Sequence, residues 1–135
     1  MYDKELLVEL LDQILVAAQR IARRFDPIRK PDDFLSSDDG IDRLDGIAMM
    51  LIVIGESIKN LDRVTEGVLL AQYPDVDWKG AKGVRDVISH HYVDLNAEVI
   101  YDICQTFIPQ LVVTIEEMRQ RVSSEPGSWP TSPRT

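Results

Sequence analysis

Apolar side chains recur every three to four residues along most of the chain, and nowhere do they alternate singly as a half-buried strand requires. That spacing gathers them on one side of successive helices and leaves no material for a sheet. Leu7, Leu11, Ile14, Leu15, Ala18, Ile21 and Ala22 predict an amphipathic helix over about Lys4–Phe25. Its early acids (Asp3, Glu5, Glu9) and late cations (Arg20, Arg23, Arg24) suit the helix dipole. Pro27 and Pro31 end it and predict a loop to about Ser37.

Ser36-Ser37-Asp38-Asp39 is a cluster of N-capping residues, so a second helix is predicted to run on to about Leu61. Its stripe includes Ile41, Leu44, Ile47, Leu51, Ile54 and Ile58, widened by Met49, Met50, Ile52 and Val53. So broad an apolar surface has two explanations: a central place in a monomeric bundle, or contact with a second subunit. A short helix is predicted over about Thr65–Gln72, then a turn at Tyr73–Asp77. Asp77 is a plausible cap for a helix from Trp78 to about His90. Asn96 caps a last helix to about Val122, with Val99, Ile100, Ile103, Phe107, Leu111, Val112, Ile115 and Met118 apolar. The tail from Ser123 to Thr135 is rich in Pro, Ser and Gly and is expected to be disordered. The fold expected is therefore all-α: one domain over 1–122, with four main helices and one short one.

A chain of 135 residues buries a real core without metals or disulfides. Cys104 is the single cysteine, which excludes an intrachain disulfide and a cysteine zinc site; its apolar helical setting predicts a buried, inert thiol. Two histidines leave little for a metal, and no cofactor is expected. Asp38, Asp39, Asp42 and Asp45 form an acidic run, of which capping accounts for the first two. The most apolar run, Ile47–Ile54, is too short to cross a bilayer, so no membrane partner is expected. Met1–Glu5 carries charges of both signs and leads into no apolar signal segment, which fits a cytoplasmic protein. A net charge of -8 opposes broad nonspecific binding to nucleic acid. Lys79, Lys82 and Arg85 still offer a small basic patch, or else a solvated helix face.

The chemistry concentrates in Val84-Arg85-Asp86-Val87-Ile88-Ser89-His90-His91-Tyr92. Arg85 is a permanent cation, His90 titrates near neutrality and Tyr92 supplies a phenol. Such groups can handle a phosphodiester: the cation neutralises developing charge and the imidazole moves a proton. At about 100° per residue, positions 85 and 90 differ by roughly 140° around a continuous helix. Arg85, Ser89 and Tyr92 share one stripe, Asp86 and His90 another. A helix ending near Ser89 unites Arg85 and His90, and so does a homodimer whose two helix ends complete one cleft. Asp86, one turn before His90, can orient its imidazole, or form an ordinary surface pair. His91 falls with Val84, Val87 and Ile88 on the expected buried side and reads as packing. Trp78 reads as a packing anchor ahead of a base-stacking platform. Gly80 and Gly83 inside the same helix suggest close approach of another backbone or a ligand.

Arg85-x4-His90-x-Tyr92 resembles the signature of HEPN-domain proteins of the HepT-like toxin family. Ile54-Gly55-Glu56-Ser57-Ile58-Lys59-Asn60-Leu61 is similar to that family's second-helix segment. Tyr73-Pro74 followed by Asp77-Trp78 is similar to its approach to the catalytic helix. The likeness spans about Asp3–Val122. It implies a HEPN-type antiparallel helical bundle that forms a homodimer. It implies a metal-independent endoribonuclease toxin acting on tRNA or mRNA. Arg85 and His90 are then the catalytic pair, supported by Asp86, Ser89 and Tyr92, with Lys79 and Lys82 as candidate RNA contacts. The implied partner is a small nucleotidyltransferase antitoxin that silences the toxin by AMPylation of Tyr92. The alternative is a noncatalytic helical dimer that presents a nucleotide or substrate to a separate nucleotidyltransferase. Gly80 and Ala81 stand where the family carries larger residues, and His91 where it carries an acidic or polar one. These departures bear on the shape of the cleft and not on the catalytic pair.

Overall fold

The computed structural model describes residues 3–90 and 96–124, and every regular element among them is helical. The order is α1 (Lys4–Phe25), a 3-10 turn (Pro31–Phe34), α2 (Asp38–Val64), α3 (Val68–Ala71), α4 (Trp78–His90), α5 (Ala97–Asp102), a π-helical turn (Ile103–Phe107) and α6 (Ile108–Ser124). The last three run on as one rod. The described residues therefore form four main helices and one short one, as the periodicity predicts. The tail residues 125–135, His91 and Tyr92 lie outside the described residues.

Most helix ends fall where their capping residues stand. Asp3 accepts from the backbone N–H of Glu5 and Leu6 to open α1. Ser37 accepts from Gly40 N–H to open α2. Asn96 accepts from Glu98 and Val99 to open α5. Each satisfies backbone donors that the first helical turn leaves without partners. Some boundaries differ from expectation, and α2 runs past Leu61 to Val64. The short helix begins at Val68 and not at Thr65, because Glu66 (φ 53°) and Gly67 (φ 79°) turn left-handed. Val122 does not end α6, which continues through Ser124. The predicted loop before α2 also contains the 3-10 turn, whose Phe34 is fully buried against Phe25 at 6.3 Å between ring centres.

The bundle is built on α2, which packs against α1 on one side and α4 on the other. Leu7, Leu11, Ile14 and Ile21 of α1 meet Ile47, Ile54, Ile58 and Leu61 of α2 in a core joined by Leu111, Ile115 and Met118 of α6. Ala22, Ile41 and Val99, predicted as apolar-face positions, are exposed at the edges of their stripes. The π-helical turn ends two residues before Pro109. Proline lacks an N–H and its ring crowds the carbonyl four residues back, and the wider turn relieves that crowding inside an otherwise continuous helix. Cys104 sits in this turn, buried as expected.

Candidate active site

α4 carries the candidate residues, and its beginning is fixed locally. Asp77 accepts from Gly80 N–H at 3.0 Å and caps the helix. Trp78 donates its indole N–H to the Tyr73 carbonyl at 2.9 Å and packs against the core, the anchoring role rather than an open platform. Ala81 and Ile88 are buried and Val84 half-buried, so this edge of α4 faces the bundle. Arg85, Asp86 and Val87 are exposed.

Contact with α2 is made close by Gly55. A methyl group there would lie 3.1 Å from the Ala81 carbonyl oxygen and 3.3 Å from Val84 Cγ1. The two backbones meet where any side chain would hold them apart. Two ion pairs flank this contact. Lys82 Nζ lies 2.9 Å from Asp62 Oδ2, and Arg85 Nε lies 3.6 Å from Glu56 Oε2. Lys59 Nζ approaches the same Glu56 oxygen at 3.8 Å. Oε2 is itself covered from solvent and has no hydrogen-bond partner among the described residues.

Several sequence expectations are resolved here. α4 is helical through His90, so positions 85 and 90 stand roughly 140° apart on one continuous helix. The described helix reaches His90, one residue past Ser89, and residues 91–95 lie outside the described residues. The side chains of Ser89 and His90 lie outside the described residues. The glycine at which a second backbone comes close is Gly55, on the opposing helix. A methyl group at Gly80 would first meet the capping carboxylate of Asp77, and one at Gly83 would meet no atom of the described residues within 4 Å beyond its own helix backbone. Lys79 is exposed, but Lys82 is tied to Asp62, and both share a shallow cleft with Asp62, Asp75 and Asp77. The small basic patch is thus interleaved with carboxylates. Sequence reasoning passed over Glu56 and Asp62 as partners of α4. The one available signal was Gly55 within the stretch Ile54–Leu61, since a buried helical glycine marks where another helix crosses.

Among the described residues no group of three or more His, Cys, Asp or Glu side chains could hold a metal ion. No described helix is long and apolar enough to cross a membrane. The geometry presents a permanent cation on an exposed helical face, held beside a carboxylate, one turn and a half from a histidine at the helix end.

A stretch of 75 residues, 56% of this chain, is 39% identical to a Methanocaldococcus jannaschii protein named "Putative RNase MJ0127" and covers 59% of it. A stretch of 71 residues, 53% of this chain, is 31% identical to "Putative RNase TTE0752" of Caldanaerobacter subterraneus subsp. tengcongensis and covers 60% of it. The chain thus spans about three-fifths of the length of these curated relatives. No solved structure matches significantly. Residues 14–118 match the family profile described as "Ribonuclease HepT-like", and this match includes α2, α4 and the whole Arg85–Tyr92 segment. The chain belongs to the HepT-like ribonuclease family.

Proposed function

We propose that this protein is a metal-independent endoribonuclease, the toxin of a toxin–antitoxin pair, working in the cytoplasm as a homodimer. The observation that carries this reading is the position of Arg85. It is exposed on α4 within the family-matched segment, and its helix continues to His90. In the reaction, the 2'-hydroxyl of RNA attacks the adjacent phosphorus and the 5'-oxygen leaves. His90 moves the proton, and the Arg85 guanidinium stabilises charge on the phosphoryl oxygens. Asp86, Ser89 and Tyr92 support the pair.

Two features support the dimer. Positions 85 and 90 diverge around one helix, so a phosphate reached by both kinds of group is best met by α4 ends from two subunits. The outer side of the bundle also carries the apolar surface that such a dimer needs. Met49 of α2 and Val87 of α4 are each 57% exposed, and Ile52 and Val53 of α2 are half-buried. The proposed partner is a nucleotidyltransferase antitoxin that transfers AMP to Tyr92. An adenylyl group there would add bulk and negative charge where RNA phosphate must sit, which explains silencing.

The test is cleavage of total RNA and transfer RNA by purified protein and by His90→Ala, with intact mass measured first so that AMP on Tyr92 is not mistaken for inactivity. Cleavage by the unmodified protein that disappears in His90→Ala is the expected result. Absence of cleavage by unmodified protein refutes the nuclease and favours the noncatalytic nucleotide-binding dimer.

A further inference from the structure

We infer that Glu56 is the positioning residue for Arg85, reaching across from α2 to aim its guanidinium. This inference rests on the nuclease reading for its consequence in catalysis, but not for its geometry. Glu56 follows Gly55, the point of closest approach between α2 and α4, so its side chain leaves the helix beside Arg85. Its Oε2 lies 3.6 Å from Arg85 Nε and 3.8 Å from Lys59 Nζ. That oxygen is covered and accepts no hydrogen bond among the described residues, although the side chain as a whole is 46% exposed. A carboxylate oxygen removed from water needs a cation nearby, and Arg85 cannot neutralise by losing its proton.

The edge of Arg85 used matters. Glu56 faces Nε, and no hydrogen bond among the described residues engages Nη1 or Nη2. A planar guanidinium can accept a carboxylate on one edge and present its remaining donors to a phosphate in a bidentate fork. Lysine at this position, a single point charge, cannot hold both. Glu56 also stands between two cations, Arg85 and Lys59, whose mutual repulsion it reduces. Glu56 itself touches no reacting atom in this arrangement. It lowers the number of orientations Arg85 samples, which is the part of a barrier that preorganisation removes.

The expected signature is a split between binding and turnover. Removing the Glu56 carboxylate takes a negative charge from beside the RNA phosphate, so KM stays level or falls. The freed Arg85 is aimed less often, so kcat falls about tenfold. A residue that merely held the fold together would not move the two constants this way. Because the pair is half-exposed, melting should shift by no more than about 4 °C.

The experiment uses the full chain with Glu56→Ala, Glu56→Gln, Arg85→Ala and the double variant Glu56→Ala/Arg85→Ala. RNA cleavage is measured alongside the side-chain Nε–H resonance of Arg85 in 15N-labelled protein. The inference predicts reduced kcat in Glu56→Ala, partial retention in Glu56→Gln, and no further loss when Glu56→Ala is added to Arg85→Ala. It also predicts that the Arg85 Nε–H signal shifts and sharpens in Glu56→Ala. Unchanged kcat in Glu56→Ala with an active wild type overturns the positioning role, as does an added loss in the Arg85→Ala background. If unmodified wild type cleaves no RNA, the nuclease reading fails, and the resonance alone decides: a signal unmoved by Glu56→Ala overturns the contact, and a shifted one upholds it.

Discussion

Replacing Gly55 and Gly83 by alanine, one at a time, places the same chemical change in two opposite surroundings. Both glycines lie inside helices, α2 and α4, where alanine is preferred by about 1 kcal/mol. At Gly83 the added methyl meets no atom of the described residues within 4 Å beyond its own helix backbone, so the whole preference is realised. The variant should gain about 1 kcal/mol and melt roughly 3–5 °C higher. At Gly55 the methyl would lie 3.1 Å from the Ala81 carbonyl oxygen and 3.3 Å from Val84 Cγ1. Val84 can rotate, but the carbonyl belongs to the backbone of α4 and yields only if the helix moves outward. Overpacking of this kind costs about 1–3 kcal/mol, which offsets or exceeds the helical gain. Gly55→Ala should therefore lose between about 0 and 2 kcal/mol. The outward step should also loosen Arg85 from Glu56. Urea or thermal unfolding followed by circular dichroism measures both variants, with RNA cleavage run in parallel. A gain at Gly55 equal to that at Gly83 would refute the close packing of α2 and α4. A loss at Gly83 would refute the open surroundings assigned to it and place another chain against that face.

Two further outcomes follow from local chemistry. Asp77→Ala removes the cap on the Gly80 N–H and should cost about 1 kcal/mol, read by the same unfolding curves; Asp77→Asn, which keeps an acceptor, should restore most of it. Burial raises the Cys104 thiol to about 12 from an unperturbed value of 9.0, so it should resist thiol reagents at neutral pH until the protein unfolds. Because the folded value is the higher one, this group's contribution to stability is fully present below pH 9 and is lost progressively as pH rises from about 9 towards 12. Cys104→Ala should flatten that part of the stability profile, measured by denaturation across pH 8–11.

The functional reading gains a physical frame from the α2–α4 seam. Asp62–Lys82 and Glu56–Arg85 both bridge it, so the helix that bears the candidate chemistry is held to the helix that also packs against α1. Half-exposed pairs contribute little to stability, typically about 0–1 kcal/mol. Their effect is on where cations point. Lys82 is engaged with a carboxylate and Lys79 is exposed, so under the proposed nuclease function Lys79 is the more available of two residues that looked equivalent in the sequence.

Helices, caps and core stripes were legible in the sequence because they depend on neighbours within about four residues. Ser37, Asp77 and Asn96 cap the helices their positions predict, and Ile47, Leu51, Ile54 and Ile58 fall on the buried face that a 3.6-residue period assigns them. The Arg85–Tyr92 motif was equally a property of the chain alone, and it pointed to the family that comparison then supplied. Where the reading of the short helix missed its start, a local exception intervened, the left-handed Glu66–Gly67 step. Tertiary structure alone decided what stands beside the motif. The rotation of α2 against α4 brings Gly55 under the Ala81 carbonyl and Glu56 beside Arg85, and gives Lys82 to Asp62, 20 residues away. No periodicity fixes that rotation. It is set by how two packed helices mesh over a shared core, and a sequence read one helix at a time contains each face but not the way the faces meet.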